Sequence, residues 1–186
     1  MTMTEEGTRK QSKTGAILAV VIVIILVSVV LVIFAFFFNP KVTYEDSMED
    51  TIIPKDLILL SVNAYRSAEI SFGDIIVFDS VIPDPEGGVY EICSRVIGVP
   101  GDELEIKEGF VFRNGEVLDE PYIKDGSTEG SMPEFLIPEG LYFVLGDNRQ
   151  NSIDSRDPRV GLVMEHEING KVVFRILPIS RFGKIN

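Results

Sequence analysis

The residues with the most chemistry to offer sit in one stretch, Gly146-Asp147-Asn148-Arg149-Gln150-Asn151-Ser152-Ile153-Asp154-Ser155-Arg156. A carboxylate and a guanidinium at such spacing can pair in bidentate fashion and stiffen a backbone. Asp147 and Asp154 supply the acids, Arg149 and Arg156 the bases, and Ser152 adds a hydroxyl. Far upstream, Ser47 stands in Asp46-Ser47-Met48. By itself it is a turn serine; as a nucleophile it needs a neighbouring base to take its proton. The rest of the inventory is thin. His166 is the single histidine, in the acidic segment Met164-Glu165-His166-Glu167, where solvent exposure is expected. Cys93 is the single cysteine, which excludes an intramolecular disulfide framework and a cysteine-cluster metal site. No metal and no cofactor is expected.

These residues must be positioned by β structure. Leu141–Leu145, apolar and aromatic, reads as a buried strand that delivers the polar loop. Asp56–Val62, Asp74–Phe78, Tyr90–Ile97 and Lys171–Leu177 are likewise short, rich in branched aliphatics and bounded by turn residues. Leu104–Ile106 and Phe110–Phe112 flank Lys107-Glu108-Gly109, with Asn114-Gly115 turning next, as a compact hairpin module. Residues 83–88 read as a loop, and residues 125–131 as a polar loop expected to be mobile.

Ahead of the β region, Ala16 to Phe38 carries no charge and is long enough to cross a bilayer with some tilt. A cleavable leader would have a shorter apolar stretch and a small-x-small end, so this run is expected to be an anchor. Residues 1–15 are polar and expected to be a disordered cytoplasmic tail. Arg9, Lys10 and Lys13 just before the run put the N-terminus in the cytoplasm and residues 39–186 outside the cell membrane. Asn39-Pro40 ends the helix. The net charge is −12, and because residues 1–41 carry +2, the remainder carries −14. So acidic a surface repels nucleic acid, which is excluded as a partner.

The order of residues in the organising loop resembles the GDNRxxSxDSR pattern of bacterial type I signal peptidases, membrane-bound serine endopeptidases that remove leader peptides from exported proteins. Ser47-Met48 followed by Thr51, Gly73–Val77, and Arg95-Val96-Ile97-Gly98-Val99-Pro100-Gly101-Asp102 extend the resemblance over nearly all of 42–178. It implies a mainly β fold: an antiparallel β core, 39–102 and 141–186, with a small inserted β subdomain at 103–140, behind one transmembrane helix at 16–38. It also implies a Ser/Lys dyad, with Ser47 at the nucleophile position.

The base lysine of the family should immediately precede Arg95, and the residue there is Ser94. A seryl hydroxyl has no useful proton affinity near neutral pH. Cys93 points to the opposite face of its strand and is expected to be a buried thiol; nothing in the sequence aims Lys55, Lys107 or His166 at the site. Glu45 stands two positions before the serine, where relatives often have a small residue near the oxyanion hole, and an ionised carboxylate there opposes the developing negative charge. Asp50 replaces a proline usual in the family. Asp147, Arg149, Ser152, Asp154 and Arg156 match the family loop; the resemblance puts Ser152 beside the lysine position and gives the charged residues a structural role. The expectation is a family member that binds exported preproteins or pilin-like subunits at the bilayer surface without cleaving them, as a binding or surface-pilus assembly factor. The alternative is an active signal peptidase using Ser47 and an unrecognised base.

Overall fold

The computed structural model describes residues 3–83, 87–124 and 126–185, so the middle of the loop expected at 83–88 and Asp125 lie outside the described residues. The chain divides into two compact units, Met1–Phe38 and Asn39–Asn186.

The first unit is a helix, α1 (Met3–Phe37). Within it, Gly15–Phe37 is long and apolar enough to cross a membrane. Its large apolar side chains are exposed on every side, from Ile17 to Phe37, which is a stable arrangement only where the surroundings are themselves apolar. The disorder expected for residues 1–15 is corrected from Met3 on, where the helix already runs; Met1 and Thr2 lie outside the described residues. Extending a nucleated helix by further residues costs little.

The second unit is built of strands β1 (Phe38–Val42), β2 (Leu57–Ser61), β3 (Ile75–Pro83), β4 (Val89–Gly98), β5 (Glu103–Lys107), β6 (Phe110–Arg113), β7 (Glu116–Val117), β8 (Met132–Leu136), β9 (Leu141–Leu145), β10 (Val163–Met164), β11 (Ile168–Leu177) and β12 (Gly183–Lys184). The larger sheet runs β1-β2-β11-β3-β4-β9-β10, with β12 on β11; the smaller runs β7-β6-β5-β8. Pro40 lies in β1, an edge strand, where a missing N–H costs no ladder bond. The smaller sheet owes its hairpins to residues that tolerate positive φ: Glu108 and Gly109 (φ 54° and 85°) join β5 to β6, and Asn114 and Gly115 (φ 54° and 80°) join β6 to β7.

Three apolar clusters hold the unit. One packs Met48 and Ile52 on Ile58, Leu60, Ile75, Val77 and Val172. A second gathers Ile76, Phe78, Ile92, Val96 and Val144 on the other face of the larger sheet. A third joins the two sheets through Ile97, Phe143 and Leu145 with Leu104, Ile106, Val111 and Ile137. The alternation along β3 and β4 therefore buries both faces of the central strands. The site lies where β9 leaves this doubly covered region.

Candidate functional site

At the end of β9 the chain cannot simply turn outward, since Gly146, Asp147, Asn148 and Arg149 are all buried. Their polar groups must find partners inside the fold. Asp147 takes a bidentate pair from Arg95 of β4, Nε to Oδ1 at 2.9 Å and Nη2 to Oδ2 at 2.8 Å. The Thr51 hydroxyl adds a bond to Oδ2 at 2.5 Å. Burial works against the Arg95 charge, but the Asp147 carboxylate outweighs it and pushes the guanidinium up. Tyr122 stacks under the same guanidinium at 4.0 Å. Arg149 reaches into the smaller sheet's loops, with Nη1 and Nη2 on Glu120 at 3.1 and 2.5 Å and Nη1 also on the Thr128 hydroxyl. The loop at 125–131, expected to be mobile, is thus tied at Thr128, which is buried and whose N–H also reaches Gly109 O at 2.8 Å.

Only one of the loop's two acids pairs within the loop. Arg156 grips Asp154 through Nε and Nη2, both at 2.8 Å, and also donates to Arg149 O at 2.7 Å. Asp154 in turn receives the Gly146 N–H at 3.1 Å. The closed loop then docks on the serine turn. Asn148 donates its backbone N–H to Ser47 O at 2.9 Å and its amide to Asp46 O at 3.0 Å. Asn151 donates to Asp46 Oδ2 at 2.7 Å.

Ser47 and Ser152 meet at Gly146. A Cβ on that residue would lie 2.2 Å from Ser152 Oγ and 2.5 Å from Ser47 O. The β4–β9 ladder pairs Val96 with Val144 and ends at Arg95 with Leu145, so Ser94 and Gly146 are the residues that follow on the two chains. Cross-strand neighbours share a face, so one further step of that ladder would set Ser94 on the face of Gly146 that Ser152 covers. Ser94 is fully buried, and Ser94 Oγ and Ser152 Oγ are both buried without a hydrogen-bond partner. Each such orphaned hydroxyl costs about 1–3 kcal/mol. Ser47 is itself 7% exposed, and among the described residues its hydroxyl bonds to no other protein group.

Two clefts open at Ser47. The first, about 260 Å³, has apolar walls of Met48, Ile52, Ile58, Val77 and Val89, with Lys41, Glu45, Glu91 and Cys93 also lining it. The second, about 440 Å³, is lined by Tyr44, Glu45, Asp46, Ser47, Tyr90 and Ser152 among others. Glu45 belongs to both and accepts a hydrogen bond from the Tyr90 hydroxyl. Lys41 places its ammonium on Glu91.

Cys93 packs beside the Met48–Ile52 cluster and is only partly buried, because its face of β4 forms a wall of the first cleft. Burial, with help from Asp147 and Glu45, pushes its thiol up to about 12, so it is neither thiolate nor base near neutral pH. His166, Lys55 and Lys107 are exposed and line neither cleft. Glu120, Thr128, Lys41 and Tyr90 have no site role in the sequence, and Thr51 stands there only in a quoted block without an assigned partner. Arg95 stood in a quoted block without an assigned partner. Only Arg95 carried a usable signal, as a charge inside an apolar strand that has to be paired.

Residues 15–177 match the family model described as signal peptidase, peptidase S26, and the chain belongs to that family. Signal peptidase I S of Bacillus subtilis (strain 168) is 31% identical over 161 residues, covering 81% of this chain and 83% of that protein. Signal peptidase IB of Staphylococcus aureus (strain Mu50) is 33% identical over 164 residues, 79% and 82% of the two chains. A crystallised signal peptidase I of Enterococcus faecalis V583 is 30% identical, with a TM-score of 0.44, over 56% of this chain and 97% of that one.

Proposed function

We propose that this chain is a membrane-anchored signal peptidase relative that binds leader-like segments of exported proteins, or pilin-like subunits, without cleaving them at a useful rate. Arg9, Lys10 and Lys13 ahead of the apolar run support a cytoplasmic N-terminus and an outer position for residues 39–186. The relatives it resembles are called signal peptidases, which makes exported preproteins the natural ligands of the shared scaffold.

What carries the non-cleaving reading is the pair Ser47 and Ser94. The Ser47 hydroxyl is bonded to no base, and the residue at the family's lysine position is a buried hydroxyl without a partner. A hydroxyl cannot take the proton that attack requires. Losing one member of such a catalytic unit costs on the order of 10⁶ in rate. Lys41 supports the competing reading, an active peptidase, because it lines the first cleft with Ser47; its ammonium, however, is held by the Glu91 carboxylate.

The test is incubation of the full chain, in detergent micelles, with a leader-bearing preprotein. Retention of the uncut preprotein is expected. Robust cleavage that both Ser47→Ala and Lys41→Met abolish overturns this reading and makes Lys41 the base.

A further inference from the structure

The two clefts at Ser47 share one carboxylate whose charge the protein leaves standing. In the first cleft the charged side chains are Lys41, Glu91 and Glu45. Lys41 and Glu91 neutralise each other as an ion pair. Glu45 has only the Tyr90 hydroxyl, and among the described residues no cation pairs with it. The same cleft has aliphatic walls, supplied by Met48, Ile52, Ile58, Val77 and Val89. A cleft that joins aliphatic walls to a half-buried carboxylate has a definite chemical complement. A lysine or arginine side chain lays its methylene stem along aliphatic surface and keeps its charged head at the polar end. There it makes a charge-assisted hydrogen bond, roughly twice as strong as a neutral one.

The second cleft points the same way from independent groups. Beyond Glu45 it presents Asp46, Gln150 and Asn151, whose carboxylate and amide oxygens can accept from an ammonium. On the larger scale, the −14 carried by residues 42–186 raises the local concentration of cationic segments.

We infer that Glu45 is a specificity-determining residue, and that the clefts at Ser47 select an extended segment carrying a lysine or arginine that seats against it. The inference rests on the binding role proposed above and adds to it the charge of the ligand.

It is tested by fluorescence anisotropy on the full chain in detergent micelles. The probes are labelled leader-type peptides in which a single lysine is walked through the residues around the small-x-small segment, and a matched set carries norleucine instead. At one position the lysine peptide is expected to bind about 10-fold or more tighter than its norleucine twin, as for a single charge-assisted bond. The ratio should shrink as salt is raised. Glu45→Gln should bring the ratio close to one, and Glu45→Asp, which withdraws the carboxylate by one methylene, should reduce it, so the second variant decides if the first fails to fold. Equal binding of both sets by wild type overturns this inference and leaves the binding role standing. A lysine preference that survives both substitutions also overturns it. Failure of every peptide to bind removes the binding role and this inference together.

Discussion

Arg95 and Asp147 form two parallel hydrogen bonds across the β4–β9 junction, at 2.9 and 2.8 Å, with both side chains almost wholly buried. The pair fixes where the polar loop begins and so where Ser152 and the Asn148 contacts to the serine turn fall. Removing one partner strands a charge in the interior. Arg95→Met should cost about 3–5 kcal/mol in urea unfolding of the full chain, the range for breaking a buried pair. Adding Asp147→Asn should recover part of that loss, since no uncompensated carboxylate is left. A loss below about 1 kcal/mol would mean that the pair is solvated, as exposed ion pairs are.

Gly146 is the position at which the loop tolerates no side chain. A methyl group there meets Ser47 O at 2.5 Å and Ser152 Oγ at 2.2 Å, and the first of these is backbone that cannot rotate away. Gly146→Ala should therefore destabilise by about 1–3 kcal/mol, as overpacking does. Pairing it with Ser152→Gly should relieve only part of the cost, measured by the same unfolding midpoint.

Ser47→Ala is expected to be almost silent for stability. The turn is held by the Ser47 carbonyl, which the Asn148 N–H engages at 2.9 Å, and the hydroxyl bonds to no other described group. Loss of the hydroxyl orphans nothing, so the change in unfolding free energy should stay under about 0.5 kcal/mol. A larger drop would make Ser47 a structural hydrogen-bonding residue.

Cys93 should resist alkylation although it borders an open cleft. Its thiol is pushed up to about 12, chiefly by burial and then by the Asp147 and Glu45 charges. The group is raised, so the neutral thiol persists through neutral pH and the reactive thiolate appears only as pH climbs toward that value. Native protein should react with iodoacetamide at pH 8.5 at least ~100-fold more slowly than unfolded protein, whose free thiol titrates near ~8.5. Equal rates would place a thiolate, able to act as a base, in the cleft.

The strands most legible in the sequence were those with the strongest apolar runs, Leu57–Ser61, Val89–Gly98 and Leu141–Leu145. β1 and β8 were not, because Pro40 and Pro133 contradict strand propensity and only their edge positions in the sheets reconcile them. β10 and β12 are two-residue strands with no pattern to read. At the site, the loop's charges suggested pairing inside the loop, which holds for Asp154 with Arg156. Asp147 and Arg149 instead pair with Arg95 and Glu120, partners that the fold brings together over 52 and 29 positions. Spacing along a chain cannot announce such pairs. Nor could it show that Glu45 would be met by Tyr90 in a cleft shared with Ser47.

The remaining prediction restores a base. Ser94 is fully buried on the face of β4 that also carries Ile92 and Val96, and its hydroxyl has no partner. Ser94→Lys sends an amine from that position toward Gly146, Ser152 and the Ser47 turn, where Ser152 Oγ can accept from it. Burial disfavours the ammonium, so the lysine pKa should fall from its ordinary value and supply neutral amine near physiological pH. Glu45 opposes the negative charge that builds on the carbonyl oxygen during attack, so Ser94→Lys by itself should rescue cleavage weakly and Ser94→Lys with Glu45→Gly more strongly. The substrate should be a preprotein without basic residues near its cleavage site, so that loss of the Glu45 carboxylate does not also weaken binding. Wild type should show no useful cleavage. Rescued activity should rise with pH through the lysine's depressed pKa and be lost below it, because only the unprotonated amine can act as the base. Cleavage by the double variant that is independent of pH, or that persists after Ser47→Ala, would show that Ser47 and residue 94 do not form the reacting pair.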